Sequence, residues 1–274
     1  MTQPNPATGT VLDSIIDGVI QDMNARKADL PLARMQQLAA EASPARDAHA
    51  VLLGGRNNPA GVNIIAEVKR SSPSAGPLAQ IDSPAELAAQ YQAGGAAVIS
   101  VLTEQRRFNG SLEDFDAVRA RVDIPLLRKD FTVDEYQIYE ARAHDADLVL
   151  LIVAALDDVQ LRDYLALTHE LGMNALVETH TVEEIERAAA VDSKIVGINV
   201  RNLKTLEVNT SHYGTLADQL PDNVVRVAES GVKTASDVAM YASQGADAVL
   251  VGEALVKHGE PEQAIVDFRQ ASRP

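Results

Sequence analysis

Glu67 and Lys69 stand two residues apart at the end of Ile64-Ile65-Ala66-Glu67-Val68-Lys69, whose other members are apolar and mostly β-branched. In a strand, residues two apart project from one face, so the carboxylate and the ammonium share their surroundings. Comparable endings recur along the chain. Lys129 closes an apolar run from Pro125, Glu178 closes one from Asn174, Asn199 lies two residues before Arg201, and Glu229 precedes Ser230. Charge is costly to bury unless it is paired or used, and gathering these groups at one place desolvates all of them. Adjacent ammonium and carboxylate groups can move protons to and from a substrate. A strand-end lysine such as Lys129 could equally form a Schiff base, and an ordinary ion pair is the plain alternative for any single pair.

A second kind of chemistry is written in the glycines. Glu229-Ser230-Gly231-Val232 and Val251-Gly252-Glu253-Ala254 each follow an apolar run. Glycine lets backbone N–H groups approach a ligand, and a helix starting there adds a favourable dipole for an anion. Tight turns alone would also explain either glycine.

These residues need strands to carry them, and the chain supplies eight. The apolar runs are Ile64–Lys69, Ala97–Leu102, Pro125–Lys129, Asp147–Val153, Asn174–Glu178, Ile195–Val200, Val224–Glu229 and Ala248–Gly252. Between them lie helical stretches such as Ser83–Ala93, Ser111–Arg121, Asp134–Ala143, Asp157–Leu171, Val182–Ala190 and Ala235–Ser243. Eight strand–helix units in about 210 residues predict a (β/α)8 TIM barrel, whose active site lies at the C-terminal ends of the strands and whose last two loops commonly hold phosphate. The runs are continuously apolar, as strands buried on both faces are. An internal echo agrees: Ala96-Ala97, Ala146-Asp147 and Ala246-Asp247 lead into strands at intervals of 50 and 100 residues. An open doubly wound sheet fits less well, because no Gly-x-Gly-x-x-Gly turn follows the first strand. Residues 1–60 form an N-terminal helical extension ahead of the barrel at 61–274, with apolar positions from Val11 to Ile20 at helical spacing and a break at Asp29-Leu30-Pro31.

Composition narrows the class. Hydrophobic residues make up 46 % and aromatics 4 % of 274 residues, so the core is built of Ala, Val, Leu and Ile. The absence of Cys removes disulfides, thiolate metal sites and cysteine nucleophiles. A formal net charge of −15 argues against nucleic acid, and no apolar run reaches the length of a membrane span. Met1–Thr10 lacks the layout of a secretory signal, so a cytoplasmic protein is the expectation, and separately a monomer is expected. The histidines at 144, 169, 180 and 212 are scattered, and neither metal nor organic cofactor is expected.

Six stretches carry a family resemblance. They are Ile65-Ala66-Glu67-Val68-Lys69-Arg70-Ser71-Ser72-Pro73-Ser74, Thr103-Glu104 with Phe108-Asn109-Gly110-Ser111, Arg128-Lys129-Asp130-Phe131, Leu176-Val177-Glu178-Thr179-His180, Gly197-Ile198-Asn199 with Arg201-Asn202-Leu203, and Glu229-Ser230-Gly231-Val232. In this order, over essentially the whole chain, they resemble the indole-3-glycerol phosphate synthases of tryptophan biosynthesis, which are carboxy-lyases. The resemblance implies ring closure of 1-(2-carboxyphenylamino)-1-deoxyribulose 5-phosphate, an anionic sugar phosphate, with loss of carbon dioxide and water. It implies Lys129 as general acid in ring closure, Lys69 as partner of the substrate carboxylate and acid in dehydration, and Glu178 as acid/base of the later step. Glu67 and Asn199 would hold hydroxyls and orient the lysines, with Glu229 nearby. Phosphate would go to Ser72, Arg201, Ser230, Gly231 and Gly252, with Glu253 offering its backbone N–H. Phe108, Phe131 and Leu203 would wall the aromatic ring, and the extension would cover it from the barrel top. Val200 and Glu253 depart from residues found in other members, Asn and Ser respectively.

The chemistry is coherent in its own terms. A lysine of depressed pKa can deliver a proton to a ketone oxygen near neutral pH, and two clustered lysines lower each other's pKa while Glu67 and Glu178 limit the drop. Lys69, Arg70, Lys129 and Arg201 supply a cationic floor inside an acidic protein. The competing readings are a phosphoribosyl isomerase on the same fold, a Schiff-base enzyme using Lys129, and a barrel that only binds a sugar phosphate. The last is expected to keep the glycines but lose the acid/base set.

Overall fold

In the computed structural model, which describes residues 9–73, 76–78, 80–202, 207–257 and 259–273, eight parallel strands close into a barrel. They are β1 Asn63–Val68, β2 Val98–Leu102, β3 Leu126–Lys129, β4 Leu148–Ile152, β5 Asn174–Thr179, β6 Ile195–Asn199, β7 Val225–Glu229 and β8 Ala248–Val251. Each pairs with its neighbour in sequence, and β1 closes the ring by pairing with β8 through Asn63↔Ala248 and Ala66↔Val251. A short antiparallel ribbon, Ser71–Ser72 with Gly76–Pro77, follows β1.

Parity along each strand divides the core. Ile64, Ala66, Ile99, Leu126, Val149, Val177 and Val196 belong to the layer beneath the helices. Ile65, Val98, Leu127, Leu150, Leu176, Ile195, Val227 and Leu250 belong to the barrel interior. The outer helices are α4 Pro84–Ala93, α5 Leu112–Arg119, α6 Glu135–Ala143, α7 Asp158–Glu170, α8 Val182–Ala190, α9 His212–Ala217, α10 Ala235–Ser243, α11 Glu253–Val256 and α12 Pro261–Ala271. Ser83, Ser111, Asp134, Asp157 and Thr181 cap the first five, each accepting a backbone N–H of the first turn.

The extension covers both ends of the barrel rather than one. Its first helix, α1 Val11–Asp29, sends Leu12, Ile15, Ile16 and Val19 into the interior cluster at the C-terminal mouth. Lower down, Met23 meets Met35 of α2 (Leu32–Glu41) and Tyr136 of α6, and Arg26 binds Glu140 at 2.7 and 3.0 Å. The chain then passes to the opposite end. There α3 Ala48–Leu52 places the fully buried Ala48 and Leu52 in the same interior cluster, closing the floor.

Two carboxylates finish that floor. Asp147 accepts from the backbone N–H of Arg46 and Leu126 at 2.7 and 2.8 Å and from Arg119 at 2.9 Å. Asp247, one hundred residues later, accepts from the backbone N–H of Arg56 and Arg226 at 3.2 and 3.0 Å and from the Arg56 guanidinium. Two of the three echoes in the sequence are therefore a repeated clamp, while Ala97 at the third has no carboxylate to form one. Gly55 is required beside it, since a Cβ there would lie 1.9 Å from the Asp247 carbonyl oxygen.

Candidate active site

Continuing the inward parity toward the C-terminal ends of six of the strands builds the site. Ile65 leads to Glu67 and Lys69, Leu127 to Lys129, Leu176 to Glu178, Gly197 to Asn199 and Arg201, Val227 to Glu229, and Leu250 to Gly252. The residues reached in this way, Glu67, Lys69, Lys129, Glu178, Asn199, Arg201, Glu229 and Gly252, line one cavity of about 230 Å³ at the mouth, together with Ser72, Ser230, Gly231, Glu253, Phe108 and Phe131. Leu203 lies outside the described residues.

At the bottom of the cavity Lys129 Nζ lies 2.6 Å from Glu229 Oε2 and 3.3 Å from Glu178 Oε2. Lys69 pairs with Glu67. Asn199 ties the strand ends together: its Nδ2 donates to Glu178 Oε1 at 3.1 Å, while its Oδ1 accepts from Ser230 Oγ at 2.8 Å and from the Arg201 backbone N–H at 3.1 Å. This set of partners fixes the orientation of the amide. Gly197 makes room for the carboxylate between them, because a Cβ would fall 2.0 Å from Glu229 Oε1.

The electrostatics differ from the depressed lysine expected from sequence. Burial alone would lower the Lys129 pKa, but Glu229, Glu178 and Glu67 outweigh it and raise it. Glu178 is pushed below the usual carboxylate range, burial being overcome by Lys129, His180 and Asn199. Glu229 goes the other way, up to about 7, because burial and Glu178 together exceed the pull of Lys129. A lysine loaded at every working pH still transfers its proton downhill to an alkoxide, so its use as a donor survives the correction.

The opposite wall is apolar. The rings of Phe108 and Phe131 stand 5.9 Å apart at 41°, and Val11, Leu12 and Ile15 of α1 line the same cavity. On the rim, Ser230 and Gly231 both adopt positive φ, 72° and 81°, and Tyr241 donates to the Ser230 carbonyl at 3.0 Å. For Ser230 that backbone is strained, which is common where a ligand is gripped. Glu253 is exposed, so its carboxylate faces solvent. Val200 is buried and serves through its backbone, donating to the Glu229 carbonyl at 3.2 Å and accepting from Asn209 at 3.0 Å.

The comparisons decide among the competing readings. The family profile described as indole-3-glycerol phosphate synthase matches residues 12–268. The chain belongs to the indole-3-glycerol phosphate synthase family. A relative of that name from Micrococcus luteus is 63 % identical over 96 % of this chain and 98 % of its own length. Another, from Paenarthrobacter aurescens, is 62 % identical over 96 % of each. Among solved structures, a 3-hexulose-6-phosphate synthase superposes with a TM-score of 0.62 at 17 % identity, covering 76 % of this chain and 99 % of its own, which supports the barrel fold alone.

Within this indole-3-glycerol phosphate synthase framework, one residue of the expected cationic floor is elsewhere. Arg70 turns away from the cavity and pairs with Asp114 of α5, leaving Lys69, Lys129 and Arg201 as the cavity's cations among those expected. Three residues that the sequence offers only as parts of motifs, without a role, also contribute. Glu104, buried, accepts the backbone N–H groups of Arg106, Arg107 and Phe108 at 2.7–3.0 Å and so shapes the loop that presents Phe108. Arg128, facing outward from β3, joins Glu140 at 2.7 Å and Asp130 at 3.4 Å, linking the strand of Lys129 through Glu140 to Arg26 of α1. His180 stands in phase with Glu178, as Lys69 does with Glu67; that spacing was the available signal. Among the described residues, no three His, Asp or Glu side chains are arranged to hold a metal ion, and no helix is long and apolar enough to cross a membrane.

Proposed function

We propose that this chain performs the ring closure of its family at the barrel mouth, converting 1-(2-carboxyphenylamino)-1-deoxyribulose 5-phosphate to indole-3-glycerol phosphate, carbon dioxide and water. The observation that carries the assignment of roles is Lys129, whose ammonium sits between two buried carboxylates below an aromatic wall. Lys129 protonates the ketone oxygen as the ring carbon attacks the ketone carbon. Its proton is replaced from the surrounding carboxylates. Lys69 meets the substrate carboxylate and then assists departure of the hydroxyl, and its pairing with Glu67 aims it into the same space. Glu178 takes up the proton that the new ring must lose. Glu67 and Asn199 hold the sugar hydroxyls.

The phosphate end falls at the rim, where Ser72, Arg201, Ser230, Gly231 and Gly252 approach one another and Glu253 contributes a backbone N–H. Phe108 and Phe131 flank the anthranilate ring, with α1 above it, so closing the cavity strengthens each lysine–anion contact by excluding water. The chain is read as a cytoplasmic monomer, with residues 1–60 as a helical extension and 61–274 as the catalytic barrel. Few large apolar side chains are exposed among the described residues, which accords with the monomer.

The test is direct. The purified protein is mixed with the anilino-deoxyribulose phosphate and indole fluorescence is followed. Growth of the signal with release of carbon dioxide is expected. Tight binding of the substrate without turnover would leave a sugar-phosphate-binding barrel and reject the assignment.

A further inference from the structure

His180 takes no part in the roles just assigned, yet it is built into the site from behind. Its Nε2 lies 3.4 Å from Glu178 Oε1, and its Nδ1 lies 3.1 Å from Glu184 Oε2. The same Glu184 oxygen accepts the His180 backbone N–H at 2.7 Å, and Glu184 is itself anchored in the first turn of α8 under the Thr181 cap. The buried Nε2 makes no hydrogen bond; what faces it, at ion-pair distance, is the Glu178 carboxylate.

Across the mouth, Glu229 is the counterpart of Glu178. Both carboxylates approach the one ammonium of Lys129, but their remaining support is unequal. Glu178 has in addition a hydrogen bond from Asn199 and the imidazole at ion-pair distance, whereas Glu229 Oε1 is buried and accepts no hydrogen bond. Two carboxylates sharing one cation in a buried site do not ionise independently, and their proton goes to the poorer-supported member.

We propose that His180, held by Glu184, is a positioning residue that decides which carboxylate of the pair holds the proton, keeping Glu178 ionised as the base and leaving Glu229 as the protonated neighbour. This rests on the ring-closing function. The directions of titration agree: burial would lower the His180 pKa, but Glu178 and Glu184 carry it up to about 10, while Glu229 rises to about 7. The charged groups acting on the imidazole are Glu178 of β5 and Glu184 of α8, with Lys129 of β3 and Glu229 of β7 beyond Glu178.

The reaction has a use for that asymmetry. The new carbon–carbon bond forms as the ketone oxygen takes one proton. The carbon–carboxylate bond then breaks, leaving its electron pair in the ring. The hydroxyl departs as water with a second proton, and the ring methylene loses one. Each turnover therefore takes up one proton net, and it needs an empty base and a filled acid side by side.

Two measurements test the proposal on the full chain. In a histidine ¹⁵N NMR titration of the ligand-free protein, the His180 signal, assigned by its loss in His180→Gln, is expected to keep the imidazolium pattern to about pH 9 and to titrate earlier in Glu184→Gln. Titration near the ordinary value of about 6.5 would overturn the proposal whatever the enzyme's activity. In kinetics, His180→Gln is expected to lower kcat about tenfold, leave KM within about twofold, and move the ascending limb of the pH–kcat profile upward by about one unit. Glu184→Gln is expected to shift the limb the same way by less, and it carries the test if the first variant fails to fold. A loss of kcat with the limb unmoved would mark a merely structural role and also overturn the proposal. Absence of wild-type turnover would instead reject the ring-closing function, with the NMR arm still deciding the state of His180.

Discussion

Both ends of this barrel bury carboxylates, and the two ends treat them differently. On the floor, Asp147 and Asp247 are almost wholly inaccessible, and each is surrounded by backbone N–H groups and arginines fixed by the fold. At the mouth, Glu67, Glu178 and Glu229 are as deeply buried, but they crowd around two lysines, and Glu229 Oε1 accepts no hydrogen bond. A saturated carboxylate offsets its desolvation and locks strands together; an undersupplied one retains capacity for a ligand or a proton. Burial of charge therefore does not separate function from stability here. Incomplete satisfaction does.

The comparison breaks most visibly if the floor is opened. Asp247→Ala takes the buried carboxylate from Arg56 and strands the backbone N–H groups of Arg56 and Arg226, and is expected to cost about 3–5 kcal/mol in urea unfolding. The kcat of the remaining folded enzyme is expected to stay within about threefold, since the mutation shares no partner with the mouth. A large loss of kcat at unchanged stability would erase the distinction between the ends.

At the mouth the expected sign reverses. Glu229 has a pKa near 7 in the folded protein, above the ordinary carboxylate value, so its ionisation opposes folding. Its favourable contribution is whole below about pH 4.3 and is lost as pH rises through about 7. Glu229→Gln should then be more stable than wild type at pH 8, on the order of 1–2 kcal/mol, with the difference vanishing below about pH 4.5. Its kcat should fall. Destabilisation at pH 8 would place Glu229 with the floor carboxylates.

The smallest effect concerns the lid. Arg106, in the loop after β2, binds Asp22 of α1 through two hydrogen bonds of 2.7 and 2.8 Å and Gln21 at 3.0 Å, all exposed. Arg106→Ala should raise KM about twofold to threefold with kcat nearly constant, because it loosens the helix whose Val11, Leu12 and Ile15 line the cavity. An unchanged KM would mean that α1 is held over the mouth by its apolar face alone.

What could be read in advance follows the range of the interactions. All eight strands lie within a residue of their expected bounds, because apolar runs bounded by turns are local signals. Glu67, Lys69, Lys129, Glu178, Asn199 and Glu229 were visible because strand ends and parity are local too. The pKa of Lys129 was not, since it depends on Glu229, one hundred positions away. The floor was hidden for the same reason: Arg46 meets Asp147 across 101 positions and Arg56 meets Asp247 across 191. Whether the extension served top or bottom could not be chosen from its apolar spacing, and the structure uses α1 for one and α3 for the other. His180 does not stand out among scattered histidines, and only its phase with Glu178 is informative.

The central claim is that the mouth network performs chemistry, and Lys129→Met tests it most directly. The variant is compared with wild type by following indole fluorescence under saturating substrate, with circular dichroism confirming the barrel. A fall in kcat of about a hundredfold or more is expected in a folded protein. Retention of more than about a tenth of kcat, some 1.4 kcal/mol of barrier, would contradict it.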